Sequence, residues 1–292
     1  QVVHIISSQI DADRMDYLVR DAYYSGVTYG KFDTTRILRV IRPYQGQIVF
    51  DFTGMHAVED YVISRYQMYM QVYFHPVARG MEEVLKNLLA RARDYFQQYP
   101  NRIASCSEYL APFLENHWTL ADYLKLDDYV LTSYISAWIE EEDTILSDLA
   151  YRFINRKPFK SLLTTEATIT ELTLAIQEEL VQMNLDPEYY FGSNSSFDLP
   201  YDFYRPNATS QRTQIDLITK MGQIVELSQV SPLVQSFAGE QRGDHRLYYP
   251  RELIHQLLET DPELLTENQT KVLLAYQAEI NDVTFNIQER LF

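Results

Sequence analysis

Apolar and polar positions alternate along the chain in a way that predicts a mostly helical protein. Apolar residues recur at helical spacing between Asp11 and about Tyr24, and Gly26 follows as a stop signal. A long helical pattern covers 57–98, and we expect an interruption near Pro76 because proline disrupts a helix interior. Shorter helices are predicted at 107–116, 119–124, 127–140, 143–155 and 167–183.

Strand patterns occur in three places. Residues 37–52 predict two strands around a Pro43–Gly46 turn, and 214–230 alternate as a second hairpin across Met221–Gly222. A further strand is predicted at 245–250. The other C-terminal segments are predicted as a linker or long loop at 186–210 and as helices at about 250–259 and 266–280.

These patterns predict a mainly α fold with a smaller C-terminal α+β part. We place the boundary after residue 165, so that 1–165 form an incomplete helical domain and 166–292 form the α+β region. Oligomer assembly or regulation is the role expected for the second region.

Composition narrows the classes of function. Hydrophobic residues make up 46% of the 292 positions, which argues against a disordered chain. The net charge of −16 argues against broad binding to nucleic acid or to an anionic membrane. No apolar run approaches the about 20 residues of a transmembrane helix, and Cys106 has no cysteine to pair with. We therefore expect a cytoplasmic protein.

The stretch DADRMDYLVRD carries the first candidate site. On a helix Asp13, Tyr17 and Asp21 form one row at i, i+4 and i+8. Two carboxylates flanking a phenol can hold a metal and a sugar hydroxyl. The alternative is a solvated helix face on which the acids pair with Arg14 and Arg20.

The stretch SRYQMYMQVYFHP carries the second candidate site. Arg65, Tyr69 and Tyr73 form another i, i+4, i+8 row, and a guanidinium followed by two aromatic rings suits a nucleotide. The alternative is a buried helix whose tyrosines and methionines pack in the core. The chain has no P-loop, GxGxxG, GxSxG or HExxH motif that would indicate other chemistry.

The segment SSQIDADRMDYLVRDAYYSGVTYGKFDTTRI resembles the HD-domain deoxynucleoside triphosphate triphosphohydrolases, the family of the sterile-alpha-motif/HD-domain dNTPase and its bacterial relatives. The match covers about residues 5–80, and the Arg65, Tyr69 and Tyr73 row belongs to it. Helices to about residue 160 are compatible with the same family.

The resemblance implies a role for each residue of the first row. Asp13 would be the final aspartate of an H…HD…D set that binds a divalent metal, either Mg, Mn, Fe or Zn. Arg14 would contact the triphosphate. Tyr17 and Asp21 would contact the deoxyribose, with Asp21 near the 3′-hydroxyl.

It also implies roles for the second row and an activator site. Arg65 would reach the phosphates, Tyr69 the base and Tyr73 the sugar. The residues that match the effector positions are Asp33, Arg36 and His75. A dGTP-type activator and a homotetramer follow from the resemblance, although DFT replaces the basic residues expected at 51–53 and a proline stands at 76.

The chain departs from the family in having no HD dipeptide. It begins with Gln1 and enters an apolar pattern at once, so we expect the H…HD segment to lie upstream. The predicted function is metal-dependent hydrolysis of dNTPs to deoxynucleoside and inorganic triphosphate. The alternatives are a non-catalytic deoxynucleotide-binding regulatory protein and an HD phosphohydrolase of another nucleotide specificity.

Overall fold

The computed structural model describes residues 5–99, 109–195, 214–237 and 244–289. The helices of these ranges are α1 (Ala12–Ser25), α2 (Thr34–Val40), α3 (Met55–Met68), α4 (Pro76–Gln98), α5 (Ala111–Leu114), α6 (Leu120–Tyr123), α7 (Asp128–Trp138), α8 (Thr144–Ile154), α9 (Ile169–Gln182), α10 (Pro187–Tyr190), α11 (Leu227–Val230), α12 (Pro232–Phe237), α13 (Arg251–Glu259) and α14 (Glu267–Glu289).

The strands form two small sheets. Their bounds are β1 (Ile41–Tyr44), β2 (Gln47–Asp51), β3 (Lys160–Thr164), β4 (Gly192–Ser195), β5 (Asp216–Ile218), β6 (Ile224–Glu226) and β7 (His245–Tyr249). One sheet has the order β1-β2-β5-β6, and the other has the order β3-β7-β4. The prediction of a mainly α protein with a smaller α+β part is confirmed.

The chain folds into two compact units. The first comprises Gln1–His75 and Phe197–Gly243, and the second comprises Pro76–Ser196 and Asp244–Phe292. Residue 165, where we predicted a domain boundary, therefore lies inside the second unit. The functional division that accompanied this boundary stays a prediction.

In the first unit the helices and the four-stranded sheet share one core. The hairpin of β1 and β2 is antiparallel, and β2 pairs in parallel with β5, with Phe50 opposite Leu217. Gln45 and Gly46 both have positive φ, as a two-residue hairpin turn requires. The core is formed by Ile10, Leu18, Ala22, Ile37, Val40, Phe50, Val58, Tyr61, Val62, Met68, Ile215, Leu217, Leu227 and Val234.

The first strand of this hairpin begins later than predicted. Residues 37–40 are the last part of α2, because Asp33 caps that helix by accepting a hydrogen bond from the Arg36 backbone N–H at 2.8 Å. Alternation of apolar residues alone did not reveal this cap. The second predicted hairpin is present, and β5 and β6 pair antiparallel across a turn with Gly222 at φ 77°.

In the second unit, α4 packs beside α8 and beneath the sheet of β3, β7 and β4. Both partners of β7 are antiparallel to it. A Cβ on Gly80 would lie 2.5 Å from the Phe159 carbonyl oxygen, so this approach of α4 to the chain before β3 needs glycine. Trp138, Leu146 and Tyr249 are fully buried in the core of this unit.

The other predicted elements are present with shifted ends, and 227–230, predicted as part of the second hairpin, are the helix α11. The helix predicted at 107–116 is the short α5, and residues 107 and 108 lie outside the described ranges. The segment predicted as a loop at 186–210 contains α10 and β4, and its part beyond Ser195 is outside the described ranges. The interruption predicted near Pro76 lies between α3 and α4.

We predict that Tyr61 makes the first unit sensitive to alkali. Burial raises the pKa of its phenol from 10.0 to about 12, so the folded protein holds this proton more tightly than the unfolded chain does. The stabilisation is complete below pH 10 and is lost as the pH rises towards 12, by about 3 kcal/mol. Urea denaturation at a series of pH values measures this fall.

Tyr61→Phe is the matched variant, because it keeps the ring and removes the ionising group. Its free energy of unfolding should fall less steeply above pH 10 than that of the wild type. Parallel curves for the two proteins would contradict the prediction.

Candidate functional site

The helix that carries the first candidate row has well-defined ends. The buried Asp11 carboxylate caps α1, accepting hydrogen bonds from the backbone N–H groups of Arg14 at 2.7 Å and Ser8 at 3.2 Å. At the other end Gly26 adopts φ 74° and its N–H bonds back to Ala22 and Tyr23. Asp11 therefore stabilises the start of α1, and the row between these ends is helical.

The second row begins in α3 and continues into a π-helical turn, Tyr69–Tyr73. The Phe74 N–H bonds to the Tyr69 carbonyl at 2.8 Å, a five-residue step that widens the helix. The sequence analysis assumed ordinary α-helical spacing here. The wider turn changes the directions in which Tyr69 and Tyr73 project, and such turns are frequent at functional sites.

The two rows lie against each other in register. The phenols of Tyr17 and Tyr69 are 3.2 Å apart, and Tyr73 donates to Asp21 Oδ2 at 2.7 Å. Both pairs are separated by 52 positions in the sequence, as are Gln9 and Tyr61, which also share a hydrogen bond. A constant separation means that α1 runs beside α3 and the π turn in the same direction.

Three tyrosines and one aspartate form a compact cluster. The ring of Tyr73 meets the rings of Tyr17 and Tyr69 edge-on, at centroid distances of 6.2 Å and 5.0 Å. Burial and the hydrogen bond to Asp21 raise the pKa of Tyr73. Burial and the hydrogen bond to Tyr69 raise the pKa of Tyr17. Both phenols are therefore neutral near pH 7 and can donate hydrogen bonds.

Arg65 supplies a buried cation beside this cluster. Its residue surface is only 5% exposed, and its guanidinium lies 5.6 Å from the centre of the Tyr69 ring. Nη1 donates to the Gln9 side-chain oxygen at 2.9 Å, whereas the buried Nε has no hydrogen-bond partner. This buried donor without an acceptor distinguishes Arg65 from an ordinary core arginine.

The sequence model of the protein family described as "HD associated region" matches residues 32–186, more than half of the chain. The chain belongs to this HD-associated family. The protein named "Uncharacterized protein YwfO" from Bacillus subtilis is 51% identical over 255 residues, which are 87% of this chain and 58% of that protein. The chain thus spans little more than half the length of curated relatives that it matches.

Two further matches carry functional names. A crystal structure of a phosphohydrolase from Bacteroides thetaiotaomicron has a TM-score of 0.69 and 28% identity, covering 85% of this chain and 63% of that chain. The deoxynucleoside triphosphate triphosphohydrolase SAMHD1 homolog of Dictyostelium discoideum is 25% identical over 103 residues, 35% of this chain and 20% of that protein.

The remaining charged residues of the stretch DADRMDYLVRD have mixed surroundings. Asp13 is exposed in the first turn of α1. Arg14 donates to the Ser8 carbonyl at 2.8 Å and lies 3.5 Å from an Asp11 oxygen, so it braces the start of the helix. Asp16 and Arg20 form an exposed ion pair at 3.0 Å. The solvated-face alternative describes that pair but not Tyr17 and Asp21.

Two of the predicted effector residues stabilise local structure. Asp33 caps α2, and Arg36 Nη2 donates to the Thr53 carbonyl at 3.0 Å. Asp51 accepts hydrogen bonds from Thr53, which lower its pKa. His75 is exposed at the end of the first unit. An effector role for these residues stays a prediction.

The metal prediction rests on Asp13 alone. Among residues 5–99, 109–195, 214–237 and 244–289, no group of three or more histidine, cysteine, aspartate or glutamate side chains is arranged to hold a metal ion. The donor set in the described structure therefore does not fit a complete metal site.

Within the same ranges, no helix has the length and apolar character needed to cross a membrane.

Sequence reasoning missed Gln9 and Tyr61. Tyr61 precedes Arg65 by one helical turn, so extending the second row backwards would have found it. Gln9 lies before α1 and belongs to no motif; only the tertiary structure shows its contacts with Tyr61 and Arg65.

We predict that Tyr73→Phe destabilises the first unit by about 1 kcal/mol, because Asp21 loses a half-buried hydrogen-bond donor. Tyr24→Phe is the control, since Tyr24 is 81% exposed on the same helix as Asp21. Chemical denaturation of the three proteins measures the difference. Equal stabilities of Tyr73→Phe and the wild type would show that the hydrogen bond is not formed in solution.

Proposed function

We propose that the protein is an HD-type phosphohydrolase that hydrolyses dNTPs to deoxynucleoside and inorganic triphosphate, and that this chain provides contacts to the sugar and the phosphates. Its HD-associated family and its likeness to the Bacteroides phosphohydrolase support the hydrolase class. The Dictyostelium dNTP triphosphohydrolase supports the substrate, through a shorter match.

The observation that carries the proposal is the cluster of Tyr17, Tyr73 and Asp21. Tyr73 occupies one oxygen of the Asp21 carboxylate, Oδ2. The other oxygen can accept a hydrogen bond from a 3′-hydroxyl, which is how a carboxylate recognises a sugar alcohol. The rings of Tyr17 and Tyr73 meet edge-on; in this proposal they pack against the deoxyribose and discriminate against a 2′-hydroxyl.

Arg65 provides the charge for the phosphates. A guanidinium matches the oxygens of a phosphate group and stays protonated at any physiological pH. In the proposed reaction a water oxygen bonds to the α-phosphorus, the bond from that phosphorus to the 5′-oxygen breaks, and the deoxynucleoside takes a proton. The described residues of this chain would bind and orient the substrate for this exchange.

A divalent metal, a dGTP-type activator and a homotetramer remain expectations from the family resemblance. A metal would need ligands in addition to Asp13, since the described residues do not form a complete site. We therefore assign the activation of water to no residue of the described structure.

The test is incubation of the full-length protein with each dNTP and rNTP, with Mg²⁺ or Mn²⁺, and with or without dGTP. Ion-pair chromatography should resolve deoxynucleoside and triphosphate from dNTPs and intact rNTPs. Binding of dNTPs without turnover would instead support the regulatory alternative. Products cut at another phosphate would support a different HD phosphohydrolase, and intact, unbound dNTPs would contradict the proposal.

We also predict that Tyr17→Ala relaxes the discrimination between deoxyribose and ribose. Removing the ring opens space for a 2′-hydroxyl, so the ratio of kcat/KM for dATP to that for ATP should fall about tenfold or more. Tyr23→Ala is the matched control, because Tyr23 lies on the same helix and is 79% exposed. An unchanged ratio in Tyr17→Ala would remove Tyr17 from the sugar site.

A further inference from the structure

We propose that Gln9 is a positioning residue for Arg65. By holding Nη1, it turns the Nε and Nη2 edge of the guanidinium towards two oxygens of a phosphate group. This inference rests on the proposed function and deepens it, because it states how the phosphates are recognised and adds a residue outside both predicted rows.

Gln9 is itself firmly held. It is only 9% exposed, and its backbone carbonyl accepts a hydrogen bond from the buried Tyr61 hydroxyl at 2.9 Å. Arg65 Nη1 donates to the Gln9 side-chain oxygen at 2.9 Å and lies 3.4 Å from the same carbonyl. The backbone and the side chain of Gln9 therefore fix one corner of the guanidinium.

Tyr69 restricts the same group from another side. Its ring centre lies 5.6 Å from the central carbon of the guanidinium, and its hydroxyl is 3.2 Å from that of Tyr17. With one corner bonded and one face covered, the planar group has little freedom to rotate. Gln9 thus links the start of α1 to the orientation of Arg65.

The edge opposite Nη1 has no acceptor in the described structure. Nε is buried without a partner, and Nη2 makes no hydrogen bond within the described ranges. The N–H bonds of Nε and Nη2 run parallel, which matches two oxygens of one phosphate. A buried donor without a partner is costly, so a ligand oxygen at this edge would stabilise the protein as well.

Within the described part of the chain, no carboxylate forms an ion pair with Arg65. The register of 52 positions places Asp13 at the level of Arg65, yet the two form no ion pair. The amide of Gln9 is a neutral acceptor, so it orients the cation without neutralising it. Recognition of an anion is the chemistry that such an arrangement favours.

The experiment is isothermal titration calorimetry of the full-length protein, without added divalent metal, with dATP, inorganic triphosphate and deoxyadenosine. Gln9→Met has a similar length and no acceptor, so it should bind dATP and triphosphate about tenfold more weakly, the equivalent of one hydrogen bond. Its affinity for deoxyadenosine should be unchanged. Tyr24→Phe, at an exposed position of α1, is the control and should bind all three probes as the wild type does.

A double-mutant cycle separates positioning from general damage. Arg65→Lys removes the pair of parallel N–H donors. In this background, Gln9→Met should cause no further loss of triphosphate affinity. A thermal melt of each variant confirms that it is folded, and the comparison of wild type with Gln9→Met stands even where Arg65→Lys does not fold.

The outcomes are distinguishable. If Gln9→Met binds triphosphate as tightly as the wild type, or weakens deoxyadenosine equally, the inference is wrong and the proposed function stands. If the wild type binds triphosphate in a Gln9-dependent manner but binds no deoxynucleoside, the inference stands and the proposed substrate is wrong. If the wild type binds none of the three probes, both are overturned.

Discussion

The packing of α1 beside α3 and the π turn is the constraint on which the candidate site depends. Leu18 and Ala22 from α1 and Val62 and Met68 from α3 are buried in one core. Once the apolar sides of α1 and α3 face the same core, the polar residues next to them come together along the edge of the contact between the two helices. A slip of α1 by one turn would separate Tyr17 from Tyr69 and Asp21 from Tyr73, so the site and the core require the same register.

The close approach of the chain around α1 supports this register. A Cβ on Gly30 would lie 2.5 Å from the Leu18 carbonyl oxygen and 2.7 Å from the Ala22 side chain, so only glycine lets the loop after α1 fold back against the helix. This loop leads to α2, whose Ile37 and Val40 complete the core beneath the hairpin. The same contacts that stabilise the first unit thereby hold the two rows in position.

Electrostatics distinguish Arg65 from Arg152 and Arg91, two structural arginines of this acidic chain. In the second unit, Arg152 bonds to Asp148 at 2.7 Å and to Glu252 at 3.1 Å, and Arg91 Nε bonds to Asp143 at 3.0 Å. Their charges are matched by carboxylates, as burial requires. Arg65 is as buried as Arg152 but has a neutral partner, so its positive charge remains available for an anion despite the net charge of −16.

The sequence by itself determined most of the longer helices, the two hairpins and the residue types of the site. Helical spacing with the Gly26 stop located α1, and the turn at Gly222 located the hairpin of β5 and β6, because periodicity and turn chemistry act over a few residues. Tertiary structure decided the parallel pairing of β2 with β5, the π turn and the contact of Gln9 with Arg65. Each depends on competing local contacts or on partners far apart along the chain, and such choices are made only when the core closes.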